Sequence, residues 1–272
     1  MSGPDNATVF YDEFASKLLC DFVSGNPRTE SAIRFACDQL QRRKPGNILD
    51  LGCGLGWSSY EYSRCLPNSM ILGVDLSPEL TMLASQMFGS ETGTKYICQD
   101  LSEDVWNDRF RGSYGACVML DVYEHIPRSS RDAFVRGLGR ILADDALLIL
   151  TCPTPMHQEY LRSFNPEGIQ PIDEDIRLSD LLFLAGQLNG ELVHLEHKSI
   201  WAENDYFHAV ISRSNQRSEL RSYSAHKLIH TAERYRRLEY ALPIVSKETI
   251  DQIRKSRRSL KRGILKRLKL GR

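Results

Sequence analysis

Apolar and polar residues follow two different rhythms along the chain, and the switches between them divide it. In residues 1–46 the apolar positions recur about one helical turn apart: Phe14, Leu18, Leu19 and Phe22, then Ile33, Phe35, Ala36 and Leu40. That spacing places each group on one face of an amphipathic helix. "SGNP" at 24–27 separates the two predicted helices, and "KPG" at 44–46 closes the second. From residue 47 short apolar runs take over, bounded by helical segments. Strands are predicted at 47–51, 70–75, 95–99, 114–120, 146–152, about 191–198 and about 205–212. Helices are predicted at 57–66, 79–88, 129–142 and 178–189. Strands separated by helices of this length imply an α/β fold, a doubly wound, mostly parallel seven-stranded sheet with helices on both faces.

Two stretches depart from this alternation. Residues 153–177, "PTPMHQEYLRSFNPEGIQPIDEDIR", are rich in proline and acid without a clear period. A connection of that length between core elements is expected to be either a functional lid, here over a substrate, or disorder. After Ser214, Leu220, Tyr223, Leu228, Ala232, Tyr235, Leu238 and Leu242 fall on one side of a predicted long helix, broken at Pro243. A second helical stretch carries Ile250, Ile253, Leu260, Ile264 and Leu268 on one side and Lys/Arg on the rest. The expected organisation is therefore an N-terminal helical cap (1–46), a core (47–214) and a helical extension (215–272).

Charge sharpens the picture of the extension. The 272 residues carry 35 basic and 35 acidic side chains, yet residues 247–272 hold 11 Lys/Arg against 2 Asp/Glu. The other 246 residues have 24 basic and 33 acidic side chains, so an acidic body ends in a basic tail. Three readings fit such a tail: a solvated helix, a helix lying on an anionic membrane, or a nucleic-acid contact. The third lacks the interleaved aromatics that stack on bases, so nucleic acid is not the expected partner. The extension is also the expected surface for self-association. No apolar run approaches the ~20 residues of a membrane span, and the first residues lack a secretory pattern. Seven cysteines without a CxxC pair suit reduced thiols, so a cytoplasmic protein is expected, with peripheral membrane contact through 247–272.

The candidate chemistry begins at "NILDLGCGLGWSS" (47–59), where Gly52, Gly54 and Gly56 follow a strand and precede a helix. Glycine permits positive φ and close approach of a ligand to the backbone. Asp75 ends the next strand, 23 residues beyond Gly52, where a doubly wound fold places a carboxylate against ribose hydroxyls. A dinucleotide fits poorly. Its fingerprint carries a third glycine where Trp57 stands, and Asp50 just ahead of the turn would repel a pyrophosphate.

"ILDLGCGLG" resembles the first motif of class I S-adenosylmethionine-dependent methyltransferases. "LGVDLSPELTMLA" (72–84), "YICQDL" (96–101), "ACVMLDVYEHIP" (116–127) and "LLILTCPTP" (147–155) are similar to the four motifs that follow it. The resemblance implies a Rossmann-like fold and S-adenosyl-L-methionine as cofactor. It implies that Asp50, Gly52 and Gly54 face the methionine end, that Gly56 belongs to the cofactor site, and that Asp75 with Leu76 takes the ribose. Asp100 and Leu101 would hold the adenine, Leu120 the amino-acid end, and Tyr11 would close over the carboxylate.

Methyl transfer from a sulfonium is an in-line displacement, and a hydroxyl acceptor needs a base. "DVYEHIP" puts Asp121, Tyr123, Glu124 and His125 at the end of the fourth strand. His125 is the candidate base, and bracing of the loop is its alternative role. His157, in the predicted lid, is the second candidate. His194 and His197 point to opposite faces of a strand, and Asp144–Asp145 read as a turn, so no metal is expected. "DVYE" is not the Asn/Asp-Pro-Pro-aromatic motif of enzymes acting on exocyclic amines, and Cys152 in "TCP" lacks a companion Pro-Cys. "WAENDYFHAVISR" (201–213) is similar to methyltransferases of bacterial surface-glycan synthesis. The acceptor implied is a sugar or glycan intermediate, methylated on oxygen. The alternatives are another small molecule, a lipid-linked metabolite, or a scaffold role without catalysis.

Overall fold

The computed structural model describes residues 4–90, 93–100, 111–166, 169–170, 172–213, 226–241, 245, 249–253 and 255, with 4–13 and 239 as backbone. Two helices, α1 (Pro4–Ser24) and α2 (Pro27–Arg43), lead into β1 (Asn47–Leu51), α3 (Trp57–Cys65), β2 (Ile71–Asp75), α4 (Pro78–Phe88) and β3 (Thr94–Cys98). The second half runs β4 (Tyr114–Leu120), a 3-10 turn (Tyr123–His125), α5 (Arg128–Ile141) and β5 (Leu142–Pro153). There follow α6 (Pro155–Phe164), α7 (Leu178–Gln187), β6 (Glu191–Lys198), β7 (Tyr206–Ser212) and α8 (Thr231–Ala241).

The seven strands form one sheet in the order β3-β2-β1-β4-β5-β7-β6. Every pairing from β3 to β5 is parallel, and β7 runs antiparallel to both β5 and β6. The fold is thus the Rossmann-like doubly wound one, with a single reversed strand. The order reverses between β1 and β4, so the crevice for ligands opens outside their carboxyl ends.

Period-2 alternation sorts the strand residues onto two cores. Ile48, Ala116, Val118, Leu147 and Ile149 join Leu19, Phe22, Ile33 and Leu40 of the N-terminal helices on one face. Leu49, Cys117, Met119, Leu148 and Leu150 join Phe134, Leu138, Leu181 and Leu184 on the other. At the helix starts the sequence supplies caps: the Asn26 side chain accepts from the N–H of Arg28 and Thr29, and Ser77 from Leu80.

Three expectations are corrected. The stretch 153–177 is not structureless: Thr154 caps α6 by accepting from the N–H of His157, and Pro155 occupies its first position. The long helix over 220–242 is shorter, because residues 226–230 are not helical and α8 starts at Thr231. The cause is Glu61, fully buried, whose carboxylate takes the Ile229 N–H (2.9 Å) and His226 Nε2 (2.8 Å). Asp144 and Asp145 form no turn but lie exposed within β5, which continues back to Leu142. The basic tail beyond residue 255 lies outside the described residues. No helix among the described residues is long and apolar enough to cross a membrane.

Candidate active site

All three glycines of the turn after β1 have positive φ: 68° at Gly52, 51° at Gly54 and 78° at Gly56. At two of them a side chain is excluded by a neighbour as well. A Cβ on Gly52 would come 2.4 Å from Val122 Cγ2, and one on Gly56 would come 2.7 Å from the Tyr96 ring. At Gly54, among the described residues, it would meet only Leu18, at an ordinary 3.7 Å. The Gly54 N–H donates to Asp75 Oδ2 (2.8 Å) and the Ser77 N–H to Oδ1 (3.0 Å).

Asp50 is buried more deeply than Asp75. It is 1% exposed, and Oδ2 accepts from both Ser58 and Ser59 hydroxyls (2.6 Å each), so it anchors the start of α3 beneath the turn. Burial pushes its carboxyl up to about 6, against the pull of those two hydroxyls. Trp57 also turns away, packing edge-on against Phe22 with ring centroids 5.3 Å apart. Asp100 follows β3 and is half-buried, and the Leu76 carbonyl contacts the Cys98 thiol. Leu120, paired with Thr151, ends β4 beside the core that α1 and α2 enter. Tyr11 lies in α1, with its side chain outside the description, and Leu101 lies outside the described residues.

Beside the turn, at the carboxyl ends of β4 and β5, lies a dense polar cluster. Asp121 holds a left-handed φ of 56°, unusual for a residue with a side chain and characteristic of functional loops. Its Oδ1 accepts from Thr151 Oγ1 (2.7 Å), and its Oδ2 pairs with Arg28 Nη1 at 2.6 Å. Tyr206, at the start of β7, sets its ring 5.9 Å from the same guanidinium. Glu124 is 1% exposed, with Oε1 4.0 Å from His125 Nε2. Burial, reinforced by Asp121, raises its carboxyl well above the usual range.

His125 is held by the segment before α7. Its Nδ1 lies 2.6 Å from the Ile172 carbonyl and 4.0 Å from Asp173 Oδ1. A carbonyl only accepts, so Nδ1 carries the proton and the neutral ring keeps its lone pair on Nε2. Burial lowers the His125 pKa, which favours this neutral form. Gln158 of α6 donates its amide to Asp173 Oδ1, and Arg128 and Arg131 pair with Glu174 at 2.7 and 3.3 Å. His125 therefore braces the segment and presents a basic nitrogen at once. His157 lies further out, its ring 5.4 Å from Tyr206, and burial lowers its pKa too.

Sequence reasoning missed Arg28, Gln158, Asp173 and Tyr206. Arg28 carried one signal: a cation in the first turn of a helix opposes the helix dipole, so its position calls for an acidic partner elsewhere.

A sequence family described as "Methyltransferase domain" matches residues 48–145. Residues 48–145 are thus similar to a methyltransferase domain. The chain is 26% identical to the chloroplastic tocopherol O-methyltransferase of Arabidopsis thaliana, over 61% of this chain and 47% of that one. It is 28% identical to the malonyl-[acyl-carrier protein] O-methyltransferase of Halalkalibacterium halodurans, over 48% and 49%. The chain thus spans about half the length of these curated relatives. Among solved structures, magnesium protoporphyrin IX methyltransferase of Synechocystis PCC 6803 with bound SAH shares the fold (TM-score 0.55, 19% identity, 69% of this chain and 84% of that one). So does N-methyltransferase NodS of Bradyrhizobium japonicum WM9 with SAH (TM-score 0.55, 12% identity, 69% and 88%).

The resemblance of the turn's motif implies S-adenosylmethionine as cofactor, and the residues present fit it. The Asp75 carboxylate, held against the turn by the N–H groups of Gly54 and Ser77, stands at the end of β2 where a ribose diol is expected in this fold. Because Val122 packs on Gly52, the methyltransferase turn adjoins the polar cluster of Asp121, Glu124 and His125 directly.

Proposed function

We propose that the chain is an S-adenosylmethionine-dependent O-methyltransferase whose acceptor is a sugar or glycan intermediate, with His125 as general base. The carrying observation is the His125 ring itself. Its Nδ1–H is fixed on the Ile172 carbonyl (2.6 Å), which leaves Nε2 as the proton acceptor beside the cofactor turn. When bound, S-adenosylmethionine would supply its sulfonium methyl to an acceptor oxygen, with S-adenosylhomocysteine leaving as the neutral thioether. His125 Nε2 takes the proton the hydroxyl loses as its oxygen bonds to the methyl carbon. The imidazolium so formed is favoured by Asp173, 4.0 Å from Nδ1, and by Asp121.

Oxygen as the methylated atom agrees with the printed activities of two relatives, the tocopherol and malonyl-carrier O-methyltransferases. Another relative is the ajmaline N-methyltransferase of Rauvolfia serpentina, so the relatives leave the acceptor to the site itself. The test is His125→Ala and His125→Gln, assayed with radiolabelled S-adenosylmethionine against a glycan extract. Both variants are expected to bind S-adenosylhomocysteine as wild type does and to lose on the order of a hundredfold or more in turnover. Unchanged turnover would remove His125 from the base role.

A further inference from the structure

The polar cluster around His125 contains more hydrogen-bonding capacity than it uses. Glu124 Oε2 and Gln158 Oε1 are buried without a partner, and each residue is only 1% exposed. Arg28 Nε is buried without a partner as well, although its Nη1 is committed to Asp121. Gln170 Oε1 is a fourth bare atom, on a residue whose N–H donates to Asp173 Oδ2 (3.3 Å). Buried polar groups in native proteins are overwhelmingly paired, and each exception is costly and calls for an explanation.

These atoms belong to one connected constellation. Gln158 reaches Asp173, Asp173 stands 4.0 Å from His125, and His125 stands 4.0 Å from Glu124. Arg28 interacts electrostatically with Glu124 and His125. We propose that Glu124 Oε2, Gln158 Oε1 and Arg28 Nε are the contact atoms of a pocket for neighbouring hydroxyl groups, as on the ring of a neutral pyranoside. This rests on the reading that His125 Nε2 faces the acceptor hydroxyl.

The chemistry of the bare atoms selects that class. An ammonium group donates only: it would satisfy the oxygens, leave Arg28 Nε unmet and face the guanidinium charge. A carboxylate accepts only, and it would face Asp121 and Asp173. A hydroxyl both donates and accepts without charge, so adjacent hydroxyls can meet the oxygens and Arg28 Nε together. A site built to pair with hydroxyls also rejects a ligand lacking them, because its own groups are then left unpaired. The Arg28–Asp121 pair holds the donor in place and balances the pocket's charge.

The experiment uses the full chain loaded with S-adenosylhomocysteine, whose binding is measured by calorimetry. Saturation-transfer NMR then probes the methyl glycosides of glucose, galactose and mannose, with cyclohexylamine and cyclohexanecarboxylate as charged controls. At least one glycoside is expected to bind saturably in the millimolar range. Its affinity is expected to fall about tenfold in Gln158→Leu. Arg28→Lys keeps the charge beside Asp121 and removes Nε, and should weaken the glycoside similarly with S-adenosylhomocysteine affinity unchanged. Equal glycoside binding by wild type and Gln158→Leu overturns the pocket. So does binding of either charged control with none of the glycosides. Cofactor binding without any glycoside binding also overturns it and leaves the methyltransferase reading standing. Glycoside binding without cofactor binding sinks that reading and keeps the pocket.

Discussion

Arg28 Nη1 lies 2.6 Å from Asp121 Oδ2, joining the first turn of α2 to the loop that ends β4. The N-terminal helices are therefore part of the site and not only a cover for the sheet. Arg28→Ala leaves the Asp121 carboxylate, 11% exposed, without its counter-charge. A loss of about 3 kcal/mol in unfolding free energy is expected, because removing one partner of a mostly buried pair strands the other. Asp121→Asn strands no carboxylate and suits the left-handed backbone, so it should cost less. The double variant should cost less than the sum of the singles. Urea titrations of the four proteins give the coupling, and strict additivity would contradict it.

Gly52 and Val122 form the contact that couples the cofactor turn to the acceptor side. Gly52→Ala places a Cβ 2.4 Å from Val122 Cγ2 at a φ of 68°, so both backbone and packing are strained. It is expected to cost about 2 kcal/mol or more and to weaken S-adenosylhomocysteine. Val122→Ala in the same chain removes the atom struck and should recover part of the loss, leaving the backbone share. A double variant no better than Gly52→Ala, in calorimetry and in melting temperature, would show that contact to be irrelevant.

The sheet was legible because burial on both faces leaves runs such as "ACVML" and "ALLIL", and strand edges shifted by only a residue or two at most sites. The cofactor turn was legible because positive φ demands glycine at 52, 54 and 56. Helix α6 was hidden by its exposed apolar residues: Met156, Tyr160 and Phe164 face outward, so the usual inward stripe is missing. Its start was nevertheless written in Thr154–Pro155, a capping residue followed by the proline that suits a first helical position. The anchoring of α3 by Asp50 was hidden because sequence shows an acid before the turn and not the Ser58 and Ser59 hydroxyls that bond it. The acceptor pocket gathers residues 28, 124, 158 and 173 by tertiary contact, and no local spacing announces that.

The lowered pKa of His125 fixes the sign of the rate's pH dependence. Burial disfavours the imidazolium, while the Ile172 carbonyl, Asp173 and Asp121 favour it and Arg28 opposes it. A base must be neutral to act, so kcat/KM should be flat between pH 7 and 8 and fall only below the ordinary histidine value of about 6.5. Asp173→Asn removes a supporting charge and should move the acid limb lower still. The same group contributes to stability above pH 6.5 and loses that contribution as acid charges it first in the unfolded chain. An acid limb above pH 6.5 would rule out this assignment.

Asp50 and Glu61 are two buried carboxylates on either side of the cofactor turn, and their contributions to stability should change with pH in opposite directions. The Asp50 carboxyl is raised from 3.8 to about 6, chiefly by burial, so the folded state holds a proton that the unfolded state has already lost. Its contribution is full below pH 3.8 and disappears as pH rises through 6, a change of about 3 kcal/mol. Asp50→Asn cannot ionise, so its stability relative to wild type should improve by about that amount between pH 4 and pH 8. For Glu61 burial also pushes upward, but His226, the Ile229 N–H and Arg64 outweigh it and hold the carboxyl below 4.5. Its contribution is present above that value and is lost in acid. Glu61→Gln should therefore be most destabilising at neutral pH, by about 3 kcal/mol, and approach wild type as the pH falls below 4. It should also free residues 226–229 from the core, visible as faster amide exchange at Ile229. Urea midpoints for both variants at pH 4 and 8 decide the matter, and parallel trends would refute one of the two assignments.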